Sequence, residues 1–226
     1  ALSIGFVLNE EAVPDQVEIR LTSLRVERIS YAAAEQRLEE PLFAALREQS
    51  RRYRARRKAA GSASIDLPEV KLKVIDGQVR IAPLPRLNSR DMVTDLMLMA
   101  GEAVARYCQQ REIPIPFATQ APPEAPEAPR DLAGMFAYRR FFKPTQVKTQ
   151  PEPHAGLGLS FYSRSTSPLR RYSDLLVHQQ LRAHLAGQAP LDIQAVSERI
   201  AISEAGGMAN RKTERVSNNH WRLIYL

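Results

Sequence analysis

The segment 165–174 combines the hydroxyl, guanidinium and carboxylate side chains that bind and orient phosphate groups. It reads Ser-Thr-Ser-Pro-Leu-Arg-Arg-Tyr-Ser-Asp. A hydroxyl side chain followed by proline predicts that a helix begins at Ser167 and Pro168. Arg170 and Arg171 then fall in its first turn, where the helix dipole and the unpaired backbone N–H groups favour anions and disfavour cations. Two arginines at this position predict a bound phosphate, because a guanidinium holds phosphate oxygens through parallel hydrogen bonds.

Asp174 stands four residues after Arg170 and three after Arg171, so on a helix it can pair with either and fix its side chain. An ordinary salt bridge on a solvated face, with a contribution of about 0.3–0.5 kcal/mol, explains the same spacing. His178 and Arg182 continue this face, and each alone is more often structural than catalytic. The sequence leaves both interpretations of Asp174 open.

A second basic segment, 51–58, reads Arg-Arg-Tyr-Arg-Ala-Arg-Arg-Lys. Like charges at this density repel each other unless solvent or an anion relieves them. The segment is therefore either a solvated helix face or a stripe that contacts phosphates, and both interpretations stay open.

Hydrophobic periodicity predicts an α+β fold, with mixed strands and a hairpin in the first part and several long helices. Strands are expected at 1–8, 17–21 and 24–29, and a hairpin at 70–81 around Asp76-Gly77. Helices are expected at 31–59 with an interruption near Pro41, at 90–110 with a cap at Asn88 or Ser89, at 132–142, at 168–186 before Gly187, and from about 191 to the end with a break or bend near Gly206-Gly207. A proline-rich connector is expected at 114–129.

Composition limits the classes of protein that the chain can represent. The 226 residues have a net charge of +7, which makes a polyanionic partner plausible. The single cysteine, Cys108, excludes an internal disulfide and a cysteine-rich zinc module. No apolar run is long enough for a membrane span and no secretory signal is visible, so a cytoplasmic protein is expected. Both ends fall in apolar, element-like sequence, which predicts a segment of a longer polypeptide.

The region around the two arginines resembles a known family. His-Ala-Gly-Leu-Gly-Leu at 154–159, then Tyr162, then Thr-Ser-Pro-Leu-Arg-Arg-Tyr-Ser-Asp-Leu-Leu-Val-His at 166–178 are similar to the C-terminal signature of the ribonuclease II (RNB) family. Weaker similarity extends to the helix from Arg90, to the last conserved helix at 210–215, and to the opening Ala-Leu-Ser.

This resemblance implies a 3′-to-5′ exoribonuclease that degrades single-stranded RNA to mononucleotides. It implies that Arg170 is the catalytic arginine that holds the scissile phosphate, that Asp174 and His178 support it, and that the following residues bind RNA: Arg171, Tyr172, Glu214, Tyr162, Thr166, Ser167 and Arg211. The family holds Mg²⁺ on closely spaced aspartates. No Asp-Asp or Asp-x-Asp occurs here.

The resemblance therefore predicts that residues 1–226 are the C-terminal part of one RNB-like catalytic domain, with metal ligands upstream of Ala1 and an RNA-binding barrel downstream. A monomer is expected, and the segment alone should be inactive.

The sequence departs from the family pattern at three places. Gly101 stands where the family usually has Asn, Phe-Ala-Thr-Gln at 117–120 stands where an Arg and a His are common, and 62–65 lacks an aromatic that clamps the last base. A non-catalytic RNA-binding or regulatory relative is the alternative function, and a basic interaction domain without a nucleic-acid role is a weaker one.

Overall fold

The computed structural model describes residues 1–124, 129 and 131–226, and it has the predicted α+β fold. Three antiparallel strand pairs and a set of helices follow one another along the described chain. The strands are β1 Leu2–Leu8, β2 Pro14–Leu21, β3 Val70–Ile75, β4 Gln78–Pro83, β5 Phe117–Thr119 and β6 Gln146–Lys148. The α-helices are α1 Tyr31–Glu35, α2 Pro41–Ala59, α3 Asn88–Gln110, α4 Leu132–Tyr138, α5 Tyr172–Leu185 and α6 Ile193–Tyr225, with short 3₁₀ turns at Arg139–Phe141 and Ala155–Leu157.

Two breaks in the pattern follow local sequence as predicted. Pro41 is the first residue of α2, so the helical stretch after Ser30 is divided into α1 and α2. Asp76 and Gly77 both have positive φ angles, as a two-residue hairpin turn requires, and they join β3 to β4. This hairpin packs against α6.

The strand predicted at 24–29 is wrong. The segment has no regular secondary structure, and the Leu24 and Val26 side chains are 62% and 71% exposed. Alternation of apolar residues makes a strand only where a neighbouring strand accepts its hydrogen bonds, and no strand of the described chain pairs with this segment.

The connector predicted at 114–129 is interrupted by β5, which pairs with β6. Residues 125–128 of that connector lie outside the described residues.

The cap predicted for α3 is also wrong. Its N-cap residue is Leu87, and the Glu35 carboxylate accepts hydrogen bonds from the backbone N–H groups of Asn88 (3.2 Å) and Ser89 (2.8 Å). The Ser89 hydroxyl instead donates to the Tyr31 carbonyl. A residue from α1 thus caps α3, which no local pattern could show.

Of the two breaks predicted in the C-terminal helices, at Gly187 and near Gly206-Gly207, only the first is confirmed. Gly187, with φ +66°, follows the end of α5 as expected. The break expected near Gly206-Gly207 is wrong, because α6 is continuous over 33 residues. A glycine inside a helix costs only about 1 kcal/mol relative to alanine, which a long helix tolerates.

The core holds α5 from two sides. Val177 and Leu181 pack with Val104 and Cys108 of α3 and with Phe117 of β5. On its other side Leu176 packs with Val196 and Ile200 of α6. The apolar stripe of α3 is buried as predicted, at Met92, Met99, Val104 and Tyr107. The start of α5 is therefore fixed in space by both neighbouring helices.

None of the helices described is long and apolar enough to cross a membrane.

Candidate functional site

The helix that carries the arginine motif begins later than the sequence predicts. Ser167 and Pro168 form a turn in which the N–H groups of Arg170 and Arg171 donate to the Ser167 carbonyl at 3.2 and 3.1 Å. Arg171 is the N-cap residue of α5, with an extended backbone (φ −125°, ψ 117°). Arg170 thus precedes the helix, and the predicted placement of both arginines in its first turn is wrong.

Asp174 explains the delayed start. Its side chain is fully buried, and its Oδ2 accepts hydrogen bonds from the Ser167 backbone N–H (2.9 Å) and from Arg171 Nη2 (2.7 Å). A carboxylate in the first turn of a helix has the sign that the dipole favours. Because Asp174 binds the chain seven residues before it, the turn 167–171 folds back over the helix start. Asp174 therefore pairs with Arg171, and the solvated salt bridge does not describe it.

Arg170 stands out from this turn. It is exposed, as is its neighbour Leu169, and no hydrogen bond or ion pair joins its guanidinium to any other described residue. Both carboxylate oxygens of Asp174 already have partners in Arg171, Ser167 and Ser173. The guanidinium of Arg170 is thus available to an anion from outside, while its backbone is fixed by hydrogen bonds.

His178 fixes the chain that leads into the turn. Its Nε2 donates to the Ser165 carbonyl at 2.7 Å, and Ser165 is buried. Thr166 is exposed beside it. The sequence-predicted residues Thr166 and Ser167 therefore lie together with Arg170, Arg171 and Asp174 around the start of α5.

Tyr162 occupies the space left by Gly101. A Cβ atom added to Gly101 would lie 2.5 Å from Tyr162 Cε2 and 2.6 Å from the Ser163 carbonyl oxygen. The Tyr162 carbonyl accepts from Ala118 N–H at 2.8 Å, so β5 holds the backbone of this segment. Burial raises the pKa of Tyr162. The Tyr162 ring and the Ser163 backbone thus fill the space that a side chain at 101 would need, which explains why this chain has Gly101 where the family usually has Asn.

The loop 154–159 supports Tyr162 from the other side. His154 N–H donates to the Leu159 carbonyl at 2.8 Å, and the His154 ring meets the Tyr162 ring edge-on at 6.1 Å. Burial lowers the pKa of His154 to about 4, with a further contribution from the positive charges of Arg164 and Arg57. Gly158 has φ +63°, and a Cβ there would lie 2.5 Å from the Arg57 carbonyl oxygen. The glycine permits the close approach of this loop to α2.

Gln120 stands in the segment where the family often has Arg and His, and it has a structural role here. Its Oε1 accepts from Gly156 N–H at 3.0 Å and its Nε2 donates to the Lys143 carbonyl at 2.6 Å. The side chain thus joins β5 to the loop 154–159.

Arginines of the basic segment 51–58 pair with acids of α3. Asp95 is buried and accepts from Arg54 Nη2 at 2.7 Å, from Arg57 Nη1 at 3.2 Å and from the Ser50 hydroxyl at 2.6 Å. Arg57 is 11% exposed and Arg54 is 49% exposed, and acids from another helix neutralise both, so the phosphate stripe describes neither. The solvated face describes Arg51, which is 76% exposed and pairs with Glu48 of its own helix.

Glu102 makes a second cluster about two turns further along α3. This buried carboxylate pairs with Arg56 and with Arg106 (2.8 Å), and it accepts a hydrogen bond from the Tyr53 hydroxyl at 2.9 Å. Burial and the negative charge of Glu102 raise the pKa of Tyr53. The two clusters join α2 to α3.

Glu214 and Arg211 lie apart from the arginine turn. Both are exposed on α6, where Arg211 Nη2 lies 3.9 Å from Glu204 Oε2. Among the described residues, no hydrogen bond or ion pair joins either side chain to the turn. Tyr172, at the start of α5, does reach α6, because its hydroxyl accepts a hydrogen bond from Arg199 Nη1 at 3.0 Å.

The sequence interpretation missed Arg164 and Arg199. Arg164 is half-buried and lies beside Pro116, Ala118, Val147 and Ser173, at the foot of α5. Its position between Tyr162 and the hydroxyl residues 165–167 was the only sequence signal that could have identified it, since no helical or strand periodicity includes it. Arg199 is separated from Tyr172 by 27 positions, so only the packing of α6 on α5 reveals the contact.

Within 1–124, 129 and 131–226, no three His, Cys, Asp or Glu side chains come together as a metal site requires.

Comparison with known proteins agrees with this architecture. The family model "RNB domain" matches residues 11–135 and 128–187. A Synechocystis protein described as an uncharacterized ribonuclease is 32% identical over 240 residues, covering 100% of this chain and 36% of that protein. The chain thus spans about a third of the length of this relative, and less of the other curated relatives.

Two solved structures share the fold. The Dss1 exoribonuclease active site mutant D477N from Candida glabrata has a TM-score of 0.87 and 17% identity, covering 100% of this chain and 33% of that one. Mycoplasma genitalium RNase R in complex with ribose methylated single-stranded RNA has a TM-score of 0.82 and 16% identity, covering 98% of this chain and 43% of that one. The RNB domain model matches well over half of the residues of this chain, and the chain therefore belongs to the RNB domain family.

Proposed function

We propose that this chain is part of a 3′-to-5′ exoribonuclease that hydrolyses single-stranded RNA to mononucleotides. The observation that carries the proposal is the exposed Arg170 on a turn that the buried Asp174 fixes, within a chain of the RNB family. The Synechocystis relative is described as a ribonuclease, and the RNase R neighbour was solved with single-stranded RNA. Both descriptions support RNA as the substrate.

In this proposal Arg170 holds the phosphoryl oxygens at which negative charge develops during hydrolysis. A fixed donor of this kind accelerates a reaction because it stabilises the transition state more than the bound substrate. Its position depends on Asp174, which binds both ends of the turn through Ser167 and Arg171. Asp174 and His178 are accordingly positioning residues, and Arg170 is the catalytic one.

Further residues are proposed to contact RNA around this point. Thr166 and Tyr172 are exposed beside the turn, and Arg171 keeps donors that Asp174 does not use. Tyr162 and Ser167 are half-buried, while Glu214 and Arg211 offer exposed polar groups on α6. Recognition through phosphates and aromatic rings favours binding without base preference.

The remaining parts of the proposal concern the whole protein. We propose that it uses Mg²⁺ held by aspartates that precede Ala1, that residues 1–226 are the C-terminal part of one RNB-like catalytic domain, and that an RNA-binding barrel follows. A cytoplasmic, monomeric protein is part of the same proposal. Fractionation and light scattering of the full-length protein test location and subunit number.

The test uses the full-length protein, a 5′-labelled single-stranded RNA and added Mg²⁺. We expect a ladder that shortens from the 3′ end, and Arg170→Ala should lower turnover at least about 100-fold while binding weakens about 10-fold or less. Arg51→Gln is the matched control, because Arg51 is an exposed arginine paired with Glu48 on α2.

Near-normal turnover of the Arg170→Ala protein would contradict the assignment of Arg170. Salt-dependent RNA binding without any shortening would instead indicate the non-catalytic relative, and absence of RNA binding would indicate an interaction domain.

A further inference from the structure

Arg164 is a half-buried arginine that has no counterion among the described residues. Most arginines of α2 and the N-cap arginine of α5 are paired with carboxylates, whereas no hydrogen bond or ion pair joins Arg164 to another residue in the described part of the chain. It lies against Pro116, Ala118 and Val147, which offer it no charge. Partial burial of a cation beside apolar groups is unfavourable unless an anion binds it.

The backbone on both sides of Arg164 is fixed. The Ser163 hydroxyl donates to the Pro116 carbonyl at 2.7 Å, and Ser163 N–H donates to the Gly101 carbonyl at 3.3 Å. On the other side, the Ser165 carbonyl accepts from His178 at 2.7 Å. The backbone that carries Arg164 is therefore fixed, so only its side chain has to become ordered when it binds a ligand.

Arg164 and Arg170 both lie near the start of α5. Arg164 lies beside Ser173, in the first turn of α5, and Arg170 precedes Ser173 by three residues. The charge of Arg171, the N-cap residue of α5, is neutralised by Asp174. Arg164 and Arg170, which have no carboxylate partner among the described residues, thus lie near one helix start, while Arg171, which is paired with Asp174, holds the turn.

Two buried polar atoms at the same turn also lack partners within the described residues. They are Arg171 Nε and the hydroxyl oxygen of Ser165, a residue that is 2% exposed. Native proteins rarely leave buried polar atoms without hydrogen bonds, so this turn has the properties of a site that a ligand completes.

We propose that Arg164 binds the RNA phosphate next to the one held by Arg170, so that the two guanidiniums grip consecutive phosphates. This inference rests on the proposed function. It assigns a second phosphate contact to a residue outside the Thr-Ser-Pro-Leu-Arg-Arg run.

The experiment measures RNA binding by the full-length protein and its Arg164→Gln variant, with EDTA present and the RNA checked for integrity. The Kd for a single-stranded oligonucleotide is measured at several salt concentrations. One lost phosphate contact should make the negative slope of log K against log salt shallower by about 0.7 and weaken binding about 10-fold. Arg164→Lys keeps the charge and should keep the slope, and Arg51→Gln is the control for an arginine on another surface.

A second measurement locates the phosphate. Methylphosphonate linkages, which carry no charge, replace the phosphates of the oligonucleotide one at a time. In the wild type, neutralising the linkage bound by Arg164 should weaken binding about 10-fold, and in Arg164→Gln the same replacement should cost nothing.

A purely structural Arg164 would lower the thermal midpoint of the variant and leave the cost of each neutral linkage the same as in the wild type, which would overturn the inference. An unchanged salt slope for Arg164→Gln would overturn it too. If the wild type binds no RNA, the proposed function fails with it. If the wild type binds and shortens RNA but the variant matches it at every linkage, this inference alone fails.

Discussion

Replacing Asp174 tests whether one buried carboxylate holds the turn that carries Arg170. Its Oδ2 accepts from Ser167 N–H at 2.9 Å and from Arg171 Nη2 at 2.7 Å. Removing one partner of a buried ion pair costs about 3–5 kcal/mol. The Arg171 side chain is 31% exposed, so water replaces part of what it loses. We therefore expect Asp174→Ala to lower the free energy of unfolding by about 3 kcal/mol, at the lower end of that range.

Two further variants separate charge from shape at this position. Asp174→Asn keeps an oxygen that can accept from Ser167 and loses the charge that attracts Arg171, so we expect a loss of about 1–1.5 kcal/mol. Ser173→Ala removes only a hydroxyl that lies 3.3 Å from Asp174 Oδ1, and its effect should stay within about 0.5 kcal/mol. The three values should rank in that order.

The assay combines urea unfolding of the full-length protein with hydrogen exchange of the peptide 165–171. Because the Ser167 N–H donates to Asp174, opening of the turn should speed its exchange about 100-fold in Asp174→Ala. Displacement of Arg170 by about 1 Å should lower kcat by a similar factor. Wild-type exchange at Ser167 together with wild-type turnover in Asp174→Ala would refute the reasoning.

Two other predictions concern the support of Tyr162. Gly101→Ala places a methyl group 2.5 Å from the Tyr162 ring, so the free energy of unfolding should fall by about 1–3 kcal/mol. Gly206→Ala, in open space on α6, should raise it by up to about 1 kcal/mol. Urea unfolding checks both variants, and equal effects would contradict the packing of Tyr162 against Gly101. Burial lowers the pKa of His154 from 6.5 to about 4. As the pH drops, His154 is therefore protonated in the unfolded protein before it is protonated in the folded protein. The free energy of unfolding should fall between about pH 6.5 and about pH 4, by at most about 3 kcal/mol. Unfolding measured at pH 7.5 and pH 4.5 should show less of this loss in His154→Gln than in the wild type or in the exposed control His220→Gln, and an equal loss in all three would contradict the argument.

Features that depend on neighbouring residues were predictable from the sequence. Pro41 lacks the N–H that a helix interior needs, so α2 had to begin there. Asp76-Gly77 supplies the two positive φ angles of a hairpin turn. The apolar stripe of α3 has the spacing of one buried helix face. Each of these constraints acts within a few residues, which is the range that a pattern can report.

The start of α5 was mispredicted because its cause acts across a longer distance. The Ser-Pro pair is a sound local start signal, but the Asp174 carboxylate binds Ser167 N–H and keeps that segment in a turn. Arg170 is the candidate catalytic residue whether the helix begins at Ser167 or at Tyr172. The family resemblance indicated its role, and the structure showed that it is exposed on a fixed turn.

By itself, the sequence determined the α+β class, the local helix and hairpin breaks, and the motif that identifies the RNB family. Only the tertiary structure decided what each charge does. Asp95 and Glu102 of α3 neutralise arginines of 51–58, Glu35 caps a helix more than 50 residues away, and Arg164 keeps no counterion among the described residues. The physical reason is that Coulomb attraction and hydrogen bonding depend on distance in space, and a linear sequence records only distance along the chain.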